Sequence, residues 1–242
     1  MKHTVMLERT PPAETAAFPQ GVTTAFENLF GLHAVEMTEI VFINHAEPDY
    51  QARPMNGVPG DPPLSEKGRN QAMRLAMRLR SASIDAVYTS TARAAVETAL
   101  LIAASQDLPM TREPQLREIA FNDESTNGHG PDVQKTATDA LMRFLNKPRW
   151  DSLRGFEPSR QFRHRAVQAV EGIMAHNPGK RIVVVTHRGV INAYLSMVLD
   201  IGRDMFFLPE YASISVLRFH GDLHAVQNLN DVAHLAPTSS PS

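Results

Sequence analysis

The sequence predicts an α/β fold, namely a three-layer α/β/α sandwich with a largely parallel central sheet. Short apolar or β-branched runs alternate along the chain with segments whose apolar residues recur at helical spacing. Strands and helices that alternate in this order are typical of a parallel sheet covered by helices on both faces. With 242 residues, the chain is long enough for one large domain of this kind or for two small ones.

The predicted elements can be placed in order along the chain. The β-branched run 38–43 predicts a strand, and the proline- and glycine-rich run 47–63 predicts a long loop. Ser65 can cap the next helix, which carries apolar residues at helical spacing (Ala72, Leu75, Ala76 and Leu79). The remaining predicted elements are a strand at 85–89, a helix at 92–105, a loop at 121–131, helices at 133–145 and 160–176, a buried strand at 181–186, and a hairpin of 213–219 and 223–227.

The two ends of the chain differ in composition from its centre. Residues 1–37 begin polar and proline-bearing and end in an apolar-rich segment, which predicts an N-terminal extension that packs on the domain or on a second subunit. Residues 38–235 form the predicted domain, and residues 236–242 form a tail that is disordered by composition. The apolar extension and the run YASISVLRF could support a homodimer.

Composition excludes several classes of protein. Without cysteine there is no disulfide framework, no thiolate nucleophile and no cysteine zinc site, which fits the reducing cytoplasm. The formal net charge of −2 gives no electrostatic basis for nucleic-acid or membrane binding. The opening MKHTVMLERTPP lacks the continuous apolar run of a secretory leader, and no later run reaches the ~18 apolar residues of a membrane span. We therefore expect a cytoplasmic protein whose partner is a small molecule.

Two histidines follow two of the predicted strands. His45 comes directly after TEIVFIN, and His187 comes directly after KRIVVVT. Open α/β sheets bind their ligands at the carboxyl ends of their strands, so both imidazoles are expected in one pocket. The other histidines show no metal-ligand spacing, and the sequence predicts neither a metal site nor a cofactor.

Several ordered blocks of the chain resemble the histidine phosphatase (phosphoglycerate mutase-like) superfamily. NHAE resembles its signature Arg-His-Gly/Ala-Glu, and LSEKGRNQA resembles its Leu-Ser/Thr-x-x-Gly-x-x-Gln-Ala helix start. STARAAVETA resembles its Ser-x-x-x-Arg-Ala-x-x-Thr-Ala block, PQLREIAF its Leu-x-Glu segment, and VVVTHRGVINAYL its second histidine block. The resemblance spans residues 38–235 and implies the same α/β/α fold, in a divergent bacterial form.

The resemblance also implies a set of catalytic roles. His45 matches the family's nucleophile, Glu118 matches its acid, and His187 matches its second histidine. A neutral imidazole can attack phosphorus to give a phosphohistidine. Glu118 would then protonate the leaving alkoxide and afterwards deprotonate the attacking water. The implied reaction is hydrolysis of a phosphate monoester without a metal ion.

The chain departs from the family at the residues that bind phosphate. Asn44 stands where the family has its first arginine, and Ala94 where it has its second. Neither residue supplies the bidentate positive group that arginine offers to a phosphate. Losing one such donor typically lowers the rate by ~10²–10³. We therefore expect a weakened or rebuilt anion pocket.

Three arginines could compensate for the two that are missing. Arg188 stands where the family has glycine, and Arg93 and Arg53 could reach the pocket from neighbouring loops. Arg188 could bind the anion, fill the phosphate volume and block it, or pair with Glu118 or Glu47. Ser90 could contact the ligand or cap the following helix. The predicted substrate-binding residues are Asn44, Arg188, Ser90, Arg53 and Arg93.

Three functional classes remain open at this point. The first is a phosphomonoester hydrolase that acts through His45. The second is an enzyme that reuses His45, His187 and Glu118 on an uncharged or carboxylate substrate, with Arg188 as its anion-binding group. The third is a catalytically silent binding protein. Matched positions for the two histidines and the acid argue against the third class, and the missing arginines argue against the first.

Overall fold

The computed structural model describes residues 37–52, 61–120, 139, 142–153, 155–221 and 223–236. The predicted N-terminal extension lies outside the described residues except for Met37, and the predicted tail does so except for Ala236. The predicted loop 121–131 and Arg53 also lie outside them. Of the predicted helix 133–145, only residue 139 and residues 142–145 are described, and all of these are helical.

A six-stranded mixed sheet lies at the centre of the described chain. Its strands are β1 (Thr38–Asn44), β2 (Ala86–Thr89), β3 (Met110–Arg112), β4 (Arg181–Thr186), β5 (Ile214–His220) and β6 (Leu223–Asp231). Their order is β3-β2-β4-β1-β5-β6. The first four run parallel to one another, whereas β5 is antiparallel to both β1 and β6. The prediction of a largely parallel sheet is confirmed.

Helices cover both faces of this sheet. They are α1 (Glu66–Leu79), α2 (Arg93–Gln106), α3 (Ser159–Ala175) and α4 (Arg188–Val198). Side chains of the central strands alternate between the two faces. On one face Val41, Ile43, Val183 and Val185 pack with α1 and α2. On the other face Ile40, Phe42, Ile182 and Val184 pack with α3 and α4. The three predicted layers are therefore confirmed.

Two elements were missed by the sequence prediction, and one was too short. β3 is a three-residue edge strand, too short to show an alternating pattern. The prediction placed no helix after the strand at 181–186, although Arg188, Asn192 and Ser196 recur at helical spacing in α4. β6 continues to Asp231, four residues beyond its predicted end, and pairs with β5 across a turn at Gly221, whose φ is +56°.

Strand order brings the two histidines to one edge of the sheet. β1 and β4 are parallel neighbours, with Asn44 paired to Thr186 at their carboxyl ends. His45 and His187 follow directly, and the His45 backbone N–H donates to the Thr186 carbonyl at 3.0 Å. β2 is the other neighbour of β4, so Ser90, which follows β2, arrives at the same edge.

Candidate active site

A cavity of about 1120 Å³ opens at the carboxyl ends of β1, β2 and β4. His45, Glu118 and His187 all line it, as the positions of the histidines after their strands predict. Asn44, Ala94 and Arg188, the three residues at which the sequence analysis expects a departure from the family pattern, line it as well.

The two imidazoles lie next to each other. Their ring centroids are 4.9 Å apart, and the rings meet edge to face at 68°. His45 Nδ1 lies 2.8 Å from the carbonyl oxygen of Ala46. A carbonyl oxygen can only accept, so this hydrogen bond places the proton on Nδ1 and leaves the lone pair on Nε2. Thr98 Oγ1 accepts from the Ala46 N–H at 3.1 Å and so helps to fix the segment that carries His45.

His187 is buried and contacts Ser90. Its Nε2 lies 2.8 Å from Ser90 Oγ, which also accepts from the backbone N–H of Ala92 at 3.2 Å. Ser90 is not the N-cap of α2, because that position belongs to Ala92, which makes no side-chain cap. The serine hydroxyl therefore fixes the orientation of the second imidazole.

Both histidines are held in the neutral form. Burial lowers the pKa of His45, and the nearby positive charge of Arg188 lowers it further against the opposing effect of the Ala46 carbonyl. Burial lowers the pKa of His187 well below its usual value, and proximity to His45 adds to this. A neutral imidazole with a free Nε2 lone pair is the form in which histidine acts as a nucleophile.

Glu118 sits beside the first turn of α4. Its Oε2 accepts from the Gly189 N–H at 3.0 Å, and its Oε1 accepts from the Ile119 N–H at 3.0 Å. Burial raises the pKa of this carboxyl, although both hydrogen bonds oppose the shift. A β-carbon at Gly189 would lie 2.1 Å from Glu118 Oε1, so only glycine allows this approach. A carboxyl with a raised pKa suits a proton donor.

An arginine anchors the segment that carries Glu118. Arg165 donates to the carbonyls of Gln115 and Arg117 through Nη1, at 2.7 and 2.8 Å, and to the carbonyl of Glu118 through Nη2 at 3.1 Å. Glu157 pairs with the same guanidinium at 2.7 Å. Arg165 therefore holds the backbone around the acid, and its charge is compensated.

Asn44 binds the loop that precedes β5. Its Nδ2 donates to the carbonyls of Pro209 at 3.1 Å and Glu210 at 2.8 Å. The residue is fully buried, and its Oδ1 has no partner among the described residues. Asn44 is thus an uncharged tether at the position where the sequence resemblance implies a cation.

Arg188 lies at the same loop and points its charge into the cavity. Its Nε donates to the Pro209 carbonyl at 2.8 Å, and its guanidinium lies over the Tyr211 ring, 4.4 Å from the centroid. The Tyr211 ring is 5.7 Å from the His45 ring. Among the described residues no ion pair joins Arg188 to an acid, and Glu47 pairs instead with Lys67 at 2.7 Å.

Of the other two predicted compensating residues, only Arg93 is described, and it is not at the cavity. Arg93 Nε donates to Glu97 Oε1 at 2.8 Å, and the side chain of Arg93 does not line the space. Arg53 lies outside the described residues. Arg117 and Tyr211 are among the lining residues that the sequence analysis did not predict. Arg117 directly precedes Glu118 and could have been noticed for that reason, whereas no pattern pointed to Tyr211.

The described residues contain no group of three histidine or acidic side chains that could hold a metal ion. None of their helices combines the length and the apolar character that crossing a bilayer requires.

Known proteins resemble this chain over most of its length. Residues 40–232 match the histidine phosphatase superfamily (branch 1). The chain is 32% identical over 216 residues to phosphoglycerate mutase-like protein 4 of Arabidopsis thaliana, covering 88% of this chain and 93% of that relative. It is 26% identical over 210 residues to phosphoserine phosphatase 1 of Hydrogenobacter thermophilus, covering 82% and 95%. It is 30% identical over 209 residues to the metal-independent phosphoserine phosphatase of Arabidopsis thaliana, covering 83% and 84%.

Solved structures agree with these likenesses. YhfR of Bacillus stearothermophilus superposes with a TM-score of 0.69 at 29% identity, covering 82% of this chain and 100% of that one. Phosphoglycerate mutase of Bacillus anthracis superposes with a TM-score of 0.66 at 21% identity, covering 83% and 96%. The second likeness is one of fold alone.

Proposed function

This chain belongs to the histidine phosphatase superfamily (branch 1), and we propose that it hydrolyses small phosphate monoesters through a phosphohistidine on His45. The observation that carries the proposal is the state of His45. Its Nδ1 proton is held by Ala46, its Nε2 lone pair is free, and its ring packs against His187 inside the cavity. The superfamily and its phosphatase relatives support phosphatase-like chemistry.

The reaction would proceed in two steps at one phosphorus atom. In the first, His45 Nε2 forms a bond to phosphorus while the bond to the leaving oxygen breaks, and Glu118 gives that oxygen its proton. In the second, water attacks the phosphohistidine, Glu118 takes the water's proton, and the N–P bond breaks. The raised pKa of the Glu118 carboxyl favours the protonated form that the first step requires. No step is assigned to a metal or cofactor.

Arg188 is proposed as the main anion-binding group. Phosphoryl transfer depends on donors that are already in place around the oxygens, and a guanidinium is well suited to this role. Nε of Arg188 is occupied by the Pro209 carbonyl, and Tyr211 supports the planar group from one side. Asn44 holds the same loop in place. Arg188 would thus take over charge that the family supplies through the two missing arginines.

The substrate class follows from the relatives and the pocket together. Two relatives are phosphoserine phosphatases, so phosphoserine is the first substrate to test.

We further infer a cytoplasmic location, supported by the absence of cysteine. The division into an extension at 1–37, a domain at 38–235 and a tail at 236–242, and the homodimer, are proposals from the sequence alone.

The experiment that tests the function is trapping of the intermediate. The full chain is mixed with ³²P-labelled phosphoserine or an aryl phosphate, quenched within milliseconds, and examined for acid-labile, base-stable phosphohistidine. We expect label in the wild type and none in His45→Ala. His164→Ala is the matched control, because His164 is exposed on α3 and does not line this cavity. Equal labelling of His45→Ala and the wild type would reject His45 as the nucleophile.

Steady-state rates complete the test. With Asn44 and Ala94 in place of two arginines, we expect turnover of a generic aryl phosphate far below that of a superfamily member that keeps both, because each lost donor typically lowers the rate by ~10²–10³. His45→Ala should remove the remaining activity. Fast hydrolysis by the wild type would mean that the missing arginines matter less than the chemistry of the phosphoryl group suggests.

A further inference from the structure

The cavity holds a second arginine whose charge is not neutralised by an acid. Among the residues that the structure describes, three arginines line it, namely Arg117, Arg165 and Arg188. Arg165 is engaged by Glu157 and by three carbonyls, so its charge is compensated and its donors are used. Arg117 is exposed, and among the described residues no ion pair joins it to an acid.

The side chain of Arg117 is only weakly held. Its Nη1 lies 3.4 Å from Thr91 Oγ1, close to the limit of a hydrogen bond. Its backbone, in contrast, is firmly placed, because its N–H donates to the Pro114 carbonyl at 3.2 Å and its carbonyl accepts from Arg165 at 2.8 Å. A guanidinium on a fixed backbone, with one long hydrogen bond at a cavity wall, can turn to a ligand at little cost.

Arg117 and Arg188 are connected to different members of the histidine pair through their neighbours. Thr91, which Arg117 contacts, directly follows Ser90, and Ser90 contacts His187. Arg188 instead lies on Tyr211, whose ring packs on His45. The charges reflect this arrangement, because Arg117 is among the groups that lower the pKa of His187. Arg188, in turn, is among the groups that lower the pKa of His45.

One guanidinium is insufficient for the charge of the proposed ligand. A phosphoryl group carries nearly two negative charges, and its three outer oxygens accept hydrogen bonds in several directions. Arg188 supplies one positive charge from one side. Ala94, in the first turn of α2, lines the cavity with a methyl group, and the side chain of Arg117 contacts Thr91, two residues before that helix begins.

We propose that Arg117 is the second anion-binding residue of this site, donating to the phosphoryl oxygens from the His187 side while Arg188 donates from the His45 side. The proposal rests on the proposed function in that both concern the same phosphoryl group. It assigns Arg117 to binding, and it leaves the nucleophile and the acid unchanged. Because Arg117 neighbours Glu118 in the chain, binding of the anion and placement of the acid occur on one short segment.

The test is calorimetric titration of the full chain with inorganic phosphate and with orthovanadate. Arg117→Ala should weaken phosphate binding by about 10- to 100-fold, the scale of a lost charge-assisted hydrogen bond. Arg117→Lys keeps the charge but loses the bidentate geometry, so its affinity for phosphate should lie between those of the wild type and Arg117→Ala. Arg112→Ala is the matched control, because Arg112 is an exposed arginine on β3 that does not line the cavity. This variant should bind phosphate with the affinity of the wild type.

Several outcomes would overturn the proposal. They are unchanged affinity in Arg117→Ala, an equal loss in Arg112→Ala, or no measurable phosphate binding by the wild type. Circular dichroism and thermal unfolding confirm that each variant folds, and Arg117→Gln replaces Arg117→Ala if the latter does not. Binding is measured without turnover, so the result is separate from intermediate trapping. Labelled His45 together with unchanged affinity in Arg117→Ala would reject this proposal alone.

Discussion

Asn44 and Arg188 share one hydrogen-bond acceptor, the carbonyl oxygen of Pro209. Asn44 Nδ2 lies 3.1 Å from it and Arg188 Nε lies 2.8 Å from it. These residues are two of the departures from the superfamily pattern that the sequence analysis expects, and they meet on the loop that carries Tyr211. The asparagine fixes the loop, and the loop fixes the arginine. Linked changes of this kind favour a rebuilt anion pocket over the loss of one.

The first prediction concerns the charge of Arg188. If it binds the anion, Arg188→Gly should weaken phosphate or vanadate binding by about 1.5–3 kcal/mol, the scale of a charge-assisted hydrogen bond. If the side chain instead blocks the phosphate volume, the same change should leave binding unchanged or make it stronger. Calorimetric titration decides between these alternatives, and unchanged affinity would rule out Arg188 as the anion site.

Tyr211 provides a companion variant for the same titration. Tyr211→Phe keeps the ring under the guanidinium and loses only the hydroxyl, which lies 3.4 Å from the hydroxyl of Tyr50. It should bind phosphate like the wild type. Tyr211→Ala removes the ring and should weaken binding by about 0.5–2 kcal/mol, the range of a cation–π contact. Equal affinities for the two variants would show that the stacking does not position Arg188.

The second prediction concerns pH. The first step needs neutral His45 and protonated Glu118. Burial lowers the pKa of His45 from 6.5, so kcat/KM should hold below pH 6.5 and fall only as the pH drops through this lowered value. Burial raises the pKa of Glu118 from 4.5, so for an alkyl phosphate kcat/KM should fall as the pH rises through that raised value.

Comparison of two substrates assigns the basic limb of this profile. An aryl phosphate with a good leaving group needs no proton from Glu118, so its basic limb should be weak once ionisation of the substrate itself is corrected for. Phosphoserine should show the full limb. Identical basic limbs for the two substrates would mean that Glu118 does not protonate the leaving oxygen. An acid limb centred at or above pH 6.5 would mean that burial does not lower the pKa of His45.

The third prediction uses Gly189 to displace Glu118 without replacing it. A β-carbon at Gly189 would lie 2.1 Å from Glu118 Oε1, and a carboxylate at the end of a flexible side chain can move away. Gly189→Ala should therefore lower kcat on phosphoserine by about 10²-fold or more, the usual contribution of a positioned acid. Gly172→Ala on α3 is the control, because nothing lies within 4 Å of its added β-carbon. Full activity in Gly189→Ala would argue against Glu118 as the acid.

The fold was predictable from the sequence because its signals are local. The centre of β4, Ile182–Val185, is fully apolar, and Ser65 caps α1 through a hydrogen bond from the Gly68 N–H at 2.9 Å. The residues of α1 that the helical spacing picks out are buried. α4 was missed although it carries a signal of this kind, because its polar stripe of Arg188, Asn192 and Ser196 is narrow in an otherwise mostly apolar segment.

The site was predictable only in part, for a different reason. His45, Glu118 and His187 occur in recognisable blocks, and the parallel pairing of β1 with β4 brings the histidines together. The anion pocket depends on contacts between residues far apart in the chain. Asn44 reaches Glu210, 166 positions away, and no local pattern encodes that contact.

The last prediction restores the superfamily pattern in this chain. Asn44→Arg, Ala94→Arg and Arg188→Gly together return two guanidiniums to the positions that bind phosphate in the family and vacate the space beside His45. If the fold and the residues His45, His187 and Glu118 are still in register, this triple variant should turn over an aryl phosphate faster than the wild type, by up to the ~10²–10³ that one such donor contributes.

Asn44→Arg alone is the informative partial variant for this experiment. Asn44 is fully buried and makes two hydrogen bonds to the loop before β5. Replacing it should lower the free energy of unfolding by about 1–3 kcal/mol, because the loop loses two buried hydrogen bonds. The Pro209 carbonyl keeps Arg188 as a donor, and the Glu210 carbonyl keeps the Ser213 N–H. With Arg188 still present, two guanidiniums would compete for one space, so this variant should gain no activity. A triple variant that folds, binds phosphate and still fails to exceed the wild type would mean that more than the anion-binding residues has diverged, and that the acid or the nucleophile no longer meets the phosphoryl group.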